Sequence, residues 1–271
     1  FEKLTNSPRV QVVMLGEYGL TWPWESLHVE ALAWFDHWLK GLDTGILDGP
    51  RFRYVVPGAE GWRATEVWPI PTAGHSAFAL RGDGTLGDED GGSRTLMTLG
   101  SGINRPRASE TDPPASLAWD TPSLAQDLDV VGDIELQLEA TTTAPDRAWI
   151  AVLQDVDPAG KVTDITQGYL RAGLRHVDET ASRDGAPVLS CRTFEPVPVG
   201  EAVRYRIPLV PNARRFKAGH RIRLLITGDD QAPKTPAMFG FRHASVGGSC
   251  LSTVASSSRL LLPTVKPHQR A

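Results

Sequence analysis

The chain is poor in cysteine, with only Cys191 and Cys250 among 271 residues. They have no paired spacing and so form no zinc motif; two reduced thiols are favoured over a disulfide, which points to a cytoplasmic setting. Long apolar runs are missing as well. No stretch approaches the length that crosses a bilayer, and neither a secretory leader nor a membrane partner is expected. A surplus of positive charge is also absent: the formal net charge is −4, which gives no reason to expect nucleic acid. The densest basic stretch holds Arg204, Arg206, Arg214, Arg215, Lys217, His220, Arg221 and Arg223. Most of these alternate along strand-like segments, which predicts a solvated strand face rather than a phosphate site.

Catalytic motifs are equally scarce. A serine hydrolase of the α/β type should carry G-x-S-x-G, whose sharp turn lifts the serine hydroxyl above the sheet. Gly-Gly-Ser at 91–93, Gly-Ser-Gly at 100–102 and Gly-Gly-Ser at 247–249 each lack the second half of that pattern. There is no H-E-x-x-H, and the H-x-E of His28 and Glu30 lacks the downstream P-C-x-x-C of a zinc deaminase. No metal or other cofactor is expected. Asp155, Asp157 and Gly160 miss the calcium-loop spacing and read as a hairpin turn. Asp36 and His37 are sequence neighbours and cannot face each other on a helix. His220, in a turn entering a strand, is expected to bind a backbone carbonyl.

What is present divides into two architectures. Hydrophobic residues at 41% and charged ones at 22% fit a soluble protein with a substantial core. Val10 to Leu15 is a short apolar run, as expected of a strand covered on both faces. From Glu25 to Gly41 the period becomes helical, with Leu27, Ala31, Trp34, Phe35, Trp38 and Leu39 on one face. A second extended run spans Phe52 to Val56. One strand, one helix and another strand expose both faces of their sheet, so residues 1–72 read as the terminal piece of a larger α/β domain. Residues 73–271 read as β. Gly82 to Pro114 reads as long loops. After it come alternating sets: Ile134, Leu136, Leu138; Ala148, Ile150, Val152; Val203, Tyr205, Ile207, Leu209; Ile222, Leu224, Ile226. Turn signals at 157–160, 183–187 and 217–220 separate several of them. The fold class is therefore mainly β: an antiparallel jelly-roll sandwich preceded by a short α/β segment.

The stretch VVMLGEYGLTWPW (12–24) looks like a buried strand ending in a loop at a cleft, the place where open α/β sheets keep chemical groups. Trp34 and Trp38, at helical spacing, are expected in the core, whereas Trp22 and Trp24 suit an exposed or interfacial role. Taken alone, these residues contain no complete catalytic set.

Five stretches in order resemble one known family, the cocaine esterase, X-Pro dipeptidyl-peptidase and α-amino-acid ester hydrolase group. FDHWLKG (35–41) is similar to its late hydrolase-domain helix, and VVPGAEGWRATEVWPIP (55–71) to the crossing into its C-terminal domain. DIELQLEATTTAPDRAWIAVLQDVDPAGKVTDITQGYLRAGLR (133–175), FKAGHRIRLLITGDDQAP (216–233) and SSSRLLLP (256–263) resemble its sandwich strands. The resemblance implies a Ser–His–Asp hydrolase with an α/β core, a helical cap and a C-terminal, galactose-binding-like jelly roll. Serine, triad aspartate and cap would all lie upstream of Phe1, which is not a start methionine.

The family's base histidine would fall inside this chain, in a G-P-W-x-H loop. Against that pattern Gly16, Glu17, Tyr18 and Gly19 take the first four places, and Leu20 stands where histidine belongs. Leucine moves no proton. The resemblance therefore implies a chain lacking nucleophile and base, which completes a cleft supplied by an upstream or partner α/β-hydrolase portion, or else covers its open face by self-association. Trp22, Trp24, Asp229 and Asp230 are the candidates for that cleft or interface. Two other readings stand beside it: a stand-alone carbohydrate-binding-like module, and a repurposed enzyme using Glu17 with Tyr18 or His28.

Overall fold

Strand β1 (Val12–Met14) runs parallel to β2 (Phe52–Val55), with Val12 opposite Phe52 and Met14 opposite Tyr54. Parallel neighbours need a crossover, and α1 (Pro23–Lys40) supplies it. The helix ends on Gly41, whose φ of 68° is left-handed, and whose amide donates to the His37 carbonyl at 3.1 Å. Lys40 in the last turn pairs with Asp36 at 2.6 Å. A tight turn then leads β2 into an antiparallel partner, β3 (Trp62–Thr65). The computed structural model describes residue 6 and residues 12–14, 23–70, 73–89, 91–98, 113–228 and 248–265; the side chains of 13–14, 23–27 and 73 lie outside that description.

The rest is an antiparallel sandwich. Its strands are β4 (Ala73–Leu80), β5 (Leu86–Gly87), β6 (Ser93–Thr98), β7 (Ser116–Asp120), β8 (Leu128–Thr142) and β9 (Ala148–Val156). They continue with β10 (Val162–Arg171), β11 (Val203–Phe216), β12 (Arg221–Thr227), β13 (Cys250–Ala255) and β14 (Arg259–Val265). One sheet has the order β10-β9-β12-β7. The other runs β5-β4-β14-β8-β13-β6, with β11 also on β8. Strand β8 is its spine. Strand β11 follows one edge from Val203 opposite Ala140 to Phe216 opposite Leu128, while β14 and then β13 share the other edge.

Between the sheets lies a single apolar core. Ile134, Leu136 and Leu138 of β8 and Tyr205, Ile207 and Leu209 of β11 meet Ile222, Leu224 and Ile226 of β12. These are the sets that alternation predicts. In β9 the core-facing set is instead Trp149, Ala151 and Leu153, and the expected Ile150 and Val152 are buried on the opposite face. A strand buried on both faces has no period to read. The loops expected over Gly82 to Pro114 contain β5 and β6. Strand β6 buries only Leu96 and Thr98 and so shows little alternation.

Strands β10 and β11 belong to different sheets yet close one side of the sandwich together. A methyl group on Gly168 of β10 would lie 2.3 Å from the Pro208 carbonyl oxygen and 3.0 Å from Leu209 Cα. Only glycine allows this approach, because the obstacle is backbone and cannot move aside. Gly168→Ala is accordingly expected to destabilise the chain by about 1–3 kcal/mol through overpacking. Urea unfolding would measure it, and an unchanged midpoint would contradict the close packing.

Candidate functional site

The strand–helix–strand unit meets the sandwich at the Leu128 end of β8, through one buried carboxylate. Asp129 is fully buried and lies directly opposite Arg215 of β11. Arg215 grips it with two bonds, Nε to Oδ1 at 2.6 Å and Nη2 to Oδ2 at 2.9 Å. Arg63 of β3 reaches the same Oδ2 at 2.6 Å. Burial alone would raise the Asp129 pKa, but hydrogen bonds from Arg215 and Arg63 and their charges outweigh it and hold the carboxyl below its ordinary value. Around this node Tyr54, Val56, Ile70 and Val131 form a second small core, with Trp68 and Ala213 packed on it. Burial pushes the Tyr54 phenol up, against the pull of Arg63. Gly58, at φ 88°, lets the turn after β2 lie on Arg215; a Cβ there would sit 3.0 Å from the Arg215 carbonyl oxygen, and the Arg215 amide donates to Pro57 at 2.9 Å.

Beside this joint is a cavity of about 480 Å³, walled by Val55, Pro57 and Trp68 on one side and by β10 and β11 on the other. Both strands bulge there, between Asp164 and Thr166 and between Leu209 and Asn212. The bulges are locked to each other, Thr166 Oγ1 donating to the Val210 carbonyl at 2.6 Å and Asn212 Nδ2 to the Ile165 carbonyl at 3.0 Å. Bulges re-aim side chains, and these bring Asp164, Asn212 and Arg214 to the cavity.

The dense basic stretch is solvated only in part, with Arg204 and Lys217 exposed, and carboxylates engage its arginines. Arg204 pairs with Glu139, Arg206 with buried Glu135, Arg214 with buried Asp155, Arg215 with Asp129 and Arg223 with Asp120. The acidic partners come from neighbouring strands, which the local sequence of the arginines does not reveal. His220 also departs from expectation. Its Nδ1 lies 2.7 Å from Asp155 Oδ1 rather than on a backbone carbonyl. Asp157 serves the hairpin turn as expected, its Oδ1 accepting the Lys161 amide at 2.8 Å. Among the described residues no group of three or more His, Cys, Asp or Glu could hold a metal ion, and no helix is long and apolar enough to cross a membrane.

Glu17, Tyr18, Leu20, Trp22, Asp229 and Asp230 lie outside the described residues, as does the side chain of Trp24 within α1. His28 is exposed on α1. The apolar face expected of that helix is only partly covered. Trp34 is half-buried, while Leu32 is 58% and Leu39 78% exposed, and Val29, Phe35, Trp38 and Leu42 are exposed as well. The features that sequence reading missed are the Arg63–Asp129 bridge and the Trp68 cavity. Their one signal was a lone aspartate inside the apolar run LDVV.

The fold is thus a two-sheet β-sandwich packed against a strand–helix–strand piece whose helix leaves apolar side chains exposed. Comparison with known proteins gives its family. Residues 44–236 match the model of the X-Pro dipeptidyl-peptidase C-terminal non-catalytic domain, and the chain belongs to that family. A Mycobacterium tuberculosis protein named as a serine esterase is 29% identical over 273 residues, 88% of this chain and 41% of that protein. Cocaine esterase from Rhodococcus is 25% identical over 239 residues, 78% of this chain and 39% of the enzyme. A crystal structure of a CocE/NonD family hydrolase from Staphylococcus aureus superposes with a TM-score of 0.78 at 18% identity, over 96% of this chain and 50% of the hydrolase, which shows the same fold. The chain spans less than half the length of these curated relatives.

Because the Asp129 pKa is lowered, its contribution to stability is present in full above the ordinary carboxylate value of 3.8 and is lost as pH falls through the lower folded value. Acid unfolding followed by circular dichroism should show this limb, and Asp129→Asn should flatten it. Asp129→Ala, which leaves two arginines facing an empty site, is expected to cost about 3–5 kcal/mol. Equal acid slopes for wild type and Asp129→Asn would remove the node from its assigned role.

Proposed function

We propose that this chain is the C-terminal portion of a serine hydrolase acting on esters or X-Pro peptides, non-catalytic by itself, and that it completes and shapes a cleft supplied by an α/β-hydrolase portion. The observation that carries this reading is the bare stripe of Val29, Leu32, Phe35, Leu39 and Leu42 beside a parallel β1–β2 pair. Parallel strands are stable only with both faces covered, and an apolar stripe of that length is a mating surface. The occupant that fits is the remaining length of the relatives, of which this chain matches 41% and 39%. The boundary between the α/β piece and the sandwich is set at residue 72, past the Trp68-Pro69-Ile70-Pro71 crossing. Leu20 takes the place of the general base in this reading, so the chain brings no proton acceptor to the cleft.

Two measurements test it. A fluorophosphonate serine probe is expected to leave the chain unlabelled, and stoichiometric labelling of one serine would defeat the proposal. In isolation the chain is expected to self-associate through α1. The pair Leu32→Asp and Leu39→Asp should return it to monomer in sedimentation without loss of β signal. A wild-type chain that is already monomeric at micromolar concentration would count against the uncovered stripe as a mating surface.

A further inference from the structure

We infer that the cavity between Trp68 and the paired bulges of β10 and β11 is a binding site for a mono- or disaccharide. This inference does not depend on the hydrolase reading. At about 480 Å³ the cavity falls within the size range of small-ligand sites. Its apolar walls are Trp68, Pro57, Pro211, Val55, Ile165 and Ala213, and its polar lining is Thr163, Asp164, Asn212 and Arg214.

The charge of that lining narrows the ligand. A purely apolar molecule would strip water from four polar side chains and return no hydrogen bonds. An anion would meet the Asp164 carboxylate, while the charge of Arg214 is already engaged by buried Asp155. A neutral ligand that offers apolar C–H faces to an indole and many hydroxyls to acid, amide, hydroxyl and guanidinium satisfies every wall at once. Saccharides have that chemistry.

The lining is also held in place before any ligand arrives. Trp68 is packed with its centroid 6.4 Å from both Phe52 and Tyr54. Asp164 accepts from Gln154 at 2.8 Å, Asn212 is tied to Ile165, and Arg214 is anchored on Asp155 at 3.0 Å. Fixing the polar groups beforehand lowers the entropy lost on binding. Because the cavity spans the joint, a bound sugar would touch both the α/β piece and the sandwich.

The test is titration of the intact chain with methyl glucoside, methyl galactoside, maltose and lactose, followed by ligand-observed NMR and calorimetry. At least one is expected to bind with a dissociation constant of about 1 mM or tighter. Thr163→Trp, which fills the cavity from an exposed position, and Asp164→Ala should each weaken binding about tenfold or more with the unfolding midpoint retained. Absence of binding by all four sugars overturns the inference. So does binding that neither variant weakens, or tighter binding of benzylamine or benzoate, which carry one charge each.

Discussion

The orientation of the whole chain depends on one buried carboxylate shared by two arginines. Removing Asp129 from water costs several kcal/mol, and a single arginine neighbour would return only part of that. Arg215 lies opposite it in register and would be present in the sandwich alone. Arg63 comes from β3, in the sheet of the strand–helix–strand unit. The second arginine is therefore what makes the sandwich prefer one position of the β2–β3 hairpin over all others. The apolar contact around it is small, with Tyr54, Val56, Ile70 and Val131 as its buried members. Such a patch is slippery, because burial is not directional. Direction comes from the forked bonds of the arginines.

The same device recurs along β11. Asp129, Glu135 and Asp155 are all buried, and each meets an arginine of that strand: Arg215, Arg206 and Arg214. Glu135 also accepts the Gly185 amide at 3.0 Å, so its pair fastens a long surface loop to the sheet. Apart from exposed Arg204, strand β11 is therefore basic because buried carboxylates surround it, an inward constraint that in sequence looks like an outward one.

The sandwich was legible because Ile134, Leu136 and Leu138 or Ile222, Leu224 and Ile226 alternate against a single core. Legibility failed where a segment has more than one neighbour. In β9 both faces are buried, so Ile150 and Trp149 carry equal apolar signal. In α1 the period correctly locates the apolar residues but does not separate half-buried Trp34 from exposed Leu39. The joint was invisible for a related reason. Arg63 and Asp129 are 66 residues apart, and neither belongs to a motif. The candidate loop residues Glu17 to Trp22 were reached through resemblance and not through period, since a loop has none.

Polar contacts form a continuous path from α1 to the spine of the sandwich. Glu30 on the face of α1 that meets the sheet binds Arg53 of β2. Arg53 is opposite Ala64 of β3, one residue from Arg63. Arg63 binds Asp129 of β8, and Asp129 binds Arg215 of β11. Apart from the single peptide step from Ala64 to Arg63, every link is a ladder pairing or a charge-assisted bond. The uncovered stripe of α1 is thus tied to the spine of the sandwich without passing through a loop.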